Sequence, residues 1–157
     1  MTQRAEIVPV TDAMLDGAAA VEAACFSDPW SVRELRESAA SPFTVLRAAV
    51  ADGRMAGYLC ASVIFDESEI LRVAVLPEYR RLGVARALLR AFFEEFPKNA
   101  TFLEVRASNI PALALYRSEG FSRTGIRRGY YEHPAEDAVC MRREPAAPKG
   151  NESNCES

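Results

Sequence analysis

The chain has 157 residues, 49% of them hydrophobic and 26% charged, with a formal net charge of −3. One domain with a real core is the expectation at this length, and the acidic balance argues against a general affinity for nucleic acid or an anionic lipid surface. No apolar run approaches the ~20 residues that span a bilayer, so no membrane association is expected.

The start, MTQRAEIVPV, lacks a signal-peptide core. Cys25, Cys60, Cys140 and Cys155 lie far apart, with no CxxC pair and no adjacent histidine; the one histidine is His133. Neither a metal site nor a disulfide framework is expected, and the reading is a reduced, cytoplasmic protein.

AEIVPV reads as a short strand. Thr11 or Asp12 caps a helix with an apolar face of Met14, Ala18, Val21 and Cys25, at i, i+4, i+7 and i+11. DPW breaks the chain, and Ser31 with Glu34 makes a capping box for a second short helix. PFTVLRAAV, Pro42 to Val50, is a strand; Asp52-Gly53 is a hairpin turn, and MAGYLCASVIF is the partner strand. After a turn at DES comes a third long strand, EILRVAVL, Glu69 to Leu76. A helix follows from Gly83 to Phe96, then the strand TFLEVRA. NIPALALYRSEG is a helix that begins near Asn109, with Pro111 in its first turn and Gly120 at its C-terminus. FSRTGIRRGYY and AEDAVCMRR are the last two strands.

The expected organisation is one domain, residues 1–145, and a disordered tail, residues 146–157, that lacks bulky apolar side chains and carries Cys155 as an exposed thiol. The element order implies a mixed α/β fold with one mostly antiparallel sheet. The helix between EILRVAVL and TFLEVRA is a crossover, so those two strands should be parallel.

PEYRRLGVARALL, Pro77 to Leu89, joins a strand to a helix. It is neither a Walker A loop nor a dinucleotide fingerprint. Gly83 can take a left-handed conformation, Ala85 keeps the next turn unobstructed, and the amides of Arg81 to Ala85 are free helix donors that suit a pyrophosphate. Arg80, Arg81 and Arg86 add positive charge. A glycine before a helix and solvated surface arginines are also common, so the loop alone leaves both readings open.

Further segments carry a resemblance. VAVLPEYRRLGVARALL resembles the acetyl-CoA motif of the GNAT-superfamily N-acetyltransferases, whose core is [RQ]-x-x-G-x-[GA]; LEVRASNIPALALYRSEGF is similar to that family's next segment. FSDPWS, RRGYY and EDAVCM resemble the RimI branch, the bacterial N-terminal alanine acetyltransferases of a ribosomal protein. Ala85 stands where the motif's second glycine is optional. The resemblance covers about residues 5 to 143. It implies a seven-stranded sheet splayed between its fourth and fifth strands and flanked by about four helices. The pantetheine arm of acetyl-CoA would lie in the splay on the backbone of Val73, Ala74 and Val75. The pyrophosphate would sit on Arg80, Arg81, Leu82, Gly83, Val84, Ala85 and Arg86, with Asn109 bonding the coenzyme arm unless it is only a helix cap.

Acetyl transfer from a thioester to an amine needs a neutral amine and a proton for the departing thiolate, and no metal. By resemblance Glu104 is the base and Tyr116 the acid. From alternation alone, Glu104 is equally an outward strand position and Tyr116 a half-buried core ring. Glu69, six residues before Val75, is the rival base or an acceptor-binding residue; beside DESE it also reads as a strand-start charge. Trp30, Tyr130 and Tyr131 shape the acceptor pocket or pack in the core. Arg127 and Arg128 read as a solvated strand face, and His133 has no assigned role. The resemblance implies a monomer that acetylates a protein N-terminus, that of a small-subunit ribosomal protein, with coenzyme A as product and no nucleic acid. The alternatives are acetylation of lysine or small amines and a non-catalytic acyl-CoA-binding module.

Overall fold

The computed structural model describes residues 4–146. The expected tail beyond Ala146, with Cys155, lies outside the described residues. Within them one seven-stranded sheet has the order β1-β2-β3-β4-β5-β7-β6. Strands β1 (Glu6–Pro9), β2 (Thr44–Ala51), β3 (Arg54–Ile64) and β4 (Glu67–Val75) form an antiparallel meander. Strand β5 (Ala100–Arg106) runs parallel to β4, as its crossover requires. Strand β7 (Glu136–Arg143) lies between β5 and the edge strand β6 (Phe121–Tyr131).

Helices α1 (Leu15–Cys25) and α2 (Val32–Ala40) lie between β1 and β2. Helix α3 (Val84–Glu95) is the β4–β5 crossover, and α4 (Ile110–Ser118) links β5 to β6. The Ser31–Glu34 capping box forms: Ser31 Oγ accepts from the Glu34 amide at 3.2 Å, and the Glu34 carboxylate accepts from the Ser31 amide at 3.3 Å. The first helix differs from expectation. Its start, Asp12–Met14, is a 3₁₀ turn. Ala18 and Val21 are buried as expected and Cys25 packs partly buried against the core, while Leu15 and Glu22 join the buried face and Met14 is only half-buried. Strand β4 begins two residues before Glu69, because the β3–β4 turn is tight and Phe65 takes a positive φ of 56°.

The two helix layers sit on opposite sheet faces. Arg47 on β2 donates to Glu95 of α3 at 3.0 Å and pairs in register with Leu59, so this face belongs to α3. Tyr58, one residue earlier, points the other way and donates to Glu22 of α1. Leu88, Leu89 and Phe92 of α3 and Leu15 and Val21 of α1 fill the two core layers. The rings of Phe93, Phe121 and Tyr116 link α3 to β6 and α4, with centroids 5.9 and 5.7 Å apart, which puts α4 on the α3 face. Among the described residues no helix is long and apolar enough to cross a membrane.

Candidate active site

Strands β4 and β5 pair only where Glu67–Ile70 meet Ala100–Leu103. Beyond that point β4 stays on β3, while Glu104 to Arg106 of β5 pair with β7. The sheet therefore opens along Leu71 to Val75. A bulge starts the opening: Ala61 and Cys60 face Ile70 and Arg72, leaving Leu71 as the extra residue. The Leu76 amide donates to Ala56 at 2.8 Å, so by antiparallel alternation Val73 and Val75 turn their backbone groups into the gap. The buried Ala74 between them faces α1. The Val75 carbonyl accepts from Arg80 Nε at 3.0 Å and from Cys25 Sγ at 3.3 Å.

The arginine-glycine loop closes one end of this gap. Gly83 caps α3 with φ +78°, and Arg81 also has a positive φ, +66°. A Cβ on Gly83 would meet nothing within 4 Å, so the backbone conformation rather than space demands glycine there. The first amides of α3 have no upstream helical acceptor, which suits them to an anion. A cleft of about 430 Å³ gathers Val75, Arg80, Arg81, Gly83, Val84, Ala85 and Arg86, with Pro111 and Leu115 of α4 as its far wall. These residues fit a coenzyme pyrophosphate and the arm that leads from it. Leu82 instead borders a cavity of about 760 Å³ with Arg4 and Arg90. Asn109 is a helix cap here, its Oδ1 accepting from the Ala112 amide at 3.2 Å.

A second cleft, about 620 Å³, opens on the α1 face and is lined by Glu67, Glu69, Phe102, Glu104, Ile126 and Arg127, among others. Both candidate bases thus border one space. Glu69 is exposed and stands beside Phe102 in the parallel pair; Glu104 is half-buried two residues further on. Glu104 Oε1 lies 2.9 Å from Arg127 Nε, and the Tyr130 hydroxyl interacts with the same carboxylate. Its interaction with Glu104, then burial, raises the Tyr130 pKa, and the charges of Glu104 and Glu69 add to it. Tyr131 is pushed up to about 12, by burial first and then by Glu104; Tyr116 contributes as well. Tyr116 itself, buried on α4, is raised to about 12 by desolvation alone. Glu104 thus faces the α1 side of the sheet and Tyr116, packed on Phe121, the α3 side, and Tyr131 lies within electrostatic reach of both.

Two loops overhang this end of the sheet. Arg106 donates to the carbonyls of Pro134 at 2.9 Å and Glu132 at 3.0 Å and lies over the Tyr131 ring, which fastens the β6–β7 loop above β5. Ser27 Oγ donates to the His133 carbonyl at 2.9 Å, joining the α1–α2 loop to the β6–β7 loop. His133 thus has a structural contact through its backbone. Trp30 is half-buried, whereas Tyr130 is 50% exposed and meets Tyr131 edge-on at 5.0 Å.

Three charged side chains, Arg127, Glu22 and Arg72, find partners that no local pattern marks. Arg127 is exposed, as expected, but it pairs with Glu104 across two strands. Glu22 is fully buried and accepts from the Trp30 amide at 2.8 Å and from the Tyr58 hydroxyl, with Arg72 Nε 3.4 Å away. Burial, then Glu22, raises the pKa of both Tyr58 and Cys60, the latter to about 12. The one available signal was a lone glutamate on the apolar side of the first helix.

The acetyltransferase (GNAT) family model matches residues 15–121. The [ribosomal protein bS18]-alanine N-acetyltransferase of Escherichia coli is 36% identical over 126 residues, 77% of this chain and 84% of that protein. The N-alpha-acetyltransferase RimI of Mycobacterium tuberculosis is 36% identical over 153 residues, 94% of this chain and 97% of the relative. The crystal structure of the E. coli ribosomal-protein-S18-alanine N-acetyltransferase superposes with a TM-score of 0.86 at 32% identity, covering 94% of this chain and 97% of the other.

Proposed function

Since the chain belongs to the GNAT family of acetyltransferases, we propose that it acetylates the α-amine of a protein N-terminus, using acetyl-CoA, and that its acceptor is the N-terminal alanine of a small-subunit ribosomal protein. The E. coli and M. tuberculosis relatives, named for α-amine acetylation, support this acceptor class. The observation that carries the reading is the opening between β4 and β5, with the arginine-glycine cradle at one end and Glu104 in the cleft on the α1 face; Tyr116 enters as the acid through the family resemblance.

Bound acetyl-CoA supplies the activated acetyl group, and coenzyme A leaves as product. Arg80, Arg81 and the first amides of α3 would hold the pyrophosphate, and the backbone of Val73 and Val75 would hold the arm. Arg80, which donates to the Val75 carbonyl at 3.0 Å, would be free to turn its guanidinium to that anion. Glu104, with Arg127 and Tyr130 fixing its carboxylate, takes the α-ammonium proton through one water. Tyr116, kept protonated by burial, gives its proton to the departing sulfur. Trp30, Tyr130 and Tyr131 wall the acceptor slot. The Ser27–His133 bridge narrows that slot, which favours a chain end with a small first residue over an internal lysine. The enzyme works as a cytoplasmic monomer.

The acceptor test compares two peptides at pH ~7.5. One begins with alanine; the other has the same sequence with its α-amine blocked and an internal lysine free. From reference pKa values near 7.7–8.0 and 10.4, about a third of an α-amine is neutral at that pH, against roughly 0.1% of a lysine. The expected kcat/KM ratio is about two orders of magnitude in favour of the free α-amine. Equal values, or preference for the blocked peptide, favour a lysine acetyltransferase that uses Glu69. No thiol release with any peptide favours a non-catalytic acyl-CoA-binding module.

A further inference from the structure

The Glu22 carboxylate is fully buried, yet it stabilises no helix end and lies outside both clefts. Its partners come from three places: the Trp30 amide in the α1–α2 loop, the Tyr58 hydroxyl on β3 and the Arg72 guanidinium on β4. Arg72 then makes contacts that a simple counter-ion need not make. Its guanidinium carbon lies 4.4 Å from the ring centroid of Phe26 and 4.4 Å from that of Trp30, and Nη2 donates to the Asp28 carbonyl at 3.4 Å. Three residues of one short loop thus rest on a single planar group. Arg72 immediately follows the bulge at Leu71, at the start of the stretch where β4 has left β5. The clamp therefore ties the acceptor-side loop to the strand that lines the gap.

Stability does not account for this arrangement. A buried ion pair is often neutral or unfavourable compared with apolar residues of the same volume. Its distinctive property is direction: the guanidinium turns its flat face to two rings while Nη2 donates to the loop and Nε stays 3.4 Å from Glu22, a combination an ammonium does not offer. We infer that Arg72 and Glu22 are positioning residues for the acceptor, holding Trp30 and the loop from Phe26 to Asp28 at a set distance from the acetyl group. The inference rests on the α-amine acetyltransferase reading and deepens it.

Two variants test it in the full chain. Arg72→Lys keeps a positive charge opposite Glu22 and loses the planar face. The double variant Glu22→Gln with Arg72→Met removes both charges, leaving neither buried alone, and tests the inference even where Arg72→Lys does not fold. Steady-state kinetics with an alanine-starting peptide and acetyl-CoA are run beside thermal melting. The expected result is a rise of about five- to tenfold in the peptide KM, the scale of losing desolvated cation–π contacts. The KM for acetyl-CoA and kcat stay within about twofold, a spread below the size of that effect. Selectivity for alanine over a bulky first residue falls. Unchanged peptide KM and selectivity in folded variants overturns the inference. So does a parallel shift in both KM values and kcat, the signature of general loosening. A wild-type protein that acetylates no α-amine peptide overturns the functional reading and this inference with it, whereas an active wild type with unmoved variants overturns the inference alone.

Discussion

Tyr116→Phe separates the chemistry from the packing. The side chain is 9% exposed and meets Phe121 edge-on with centroids 5.7 Å apart, contacts that phenylalanine keeps. Desolvation alone raises the hydroxyl to about 12, so removing the oxygen relieves a buried polar group, and the thermal midpoint should hold or rise slightly. The catalytic effect is large. With a pKa of about 12 the hydroxyl is almost wholly protonated at neutral pH and is available as a donor. A positioned general acid contributes about 10²–10⁴ in rate, which is ~3–5 kcal/mol of barrier. A thiolate, with a reference pKa near 8.5, leaves tolerably well unaided, so the lower end applies: kcat should fall about a hundredfold. The assay is thiol release under saturating acetyl-CoA and peptide, with acetyl-CoA affinity measured by calorimetry. Affinity should be unchanged. A folded variant with kcat within about twofold of wild type would falsify the acid role, since twofold lies far below any positioned proton donor.

Three further outcomes follow from the same geometry. Glu104→Gln should lower kcat/KM by about 10²–10⁴, with Glu69→Gln close to wild type; the reverse order across a pH series moves the base to Glu69. Gly83→Ala forces a side chain into φ +78° and should cost ~1–2 kcal/mol, read as a lower urea midpoint, together with weaker acetyl-CoA binding; an unchanged midpoint and affinity refute the demand for a left-handed residue there. Tyr116 and Tyr131 both resist ionisation in the folded protein, with pKa values of about 12. The stability linked to them is whole below the unfolded value of about 10 and is lost as pH rises through about 12, so the urea midpoint should drop across that window, and drop less in Tyr116→Phe. A midpoint that is flat from pH ~10 to ~12 counts against the buried, protonated assignment.

Neighbouring residues decide the features that could be read from the chain alone. Period-two alternation marked the strands, the Ser31–Glu34 spacing set a helix start, and the crossover between β4 and β5 required a parallel pair. Gly83 with its arginines marked an anion site because a left-handed turn before a helix is a local demand of the backbone. The splay was legible only through family resemblance, because where a strand stops pairing depends on its partner. Tertiary structure alone decided the rest. Strict alternation from Glu69 sends Arg72 to the α3 face; the extra residue at Leu71 reverses that and aims Arg72 at Glu22. The pairing of Glu104 with Arg127, and the bridge from Ser27 to His133 across 106 positions, also join residues that no local pattern connects. Local sequence selects dihedral angles and faces, whereas the partner of a charged side chain depends on register and bulges set by distant strands. For that reason the cradle could be read in advance, and the residues that aim the base and hold the acceptor wall could not.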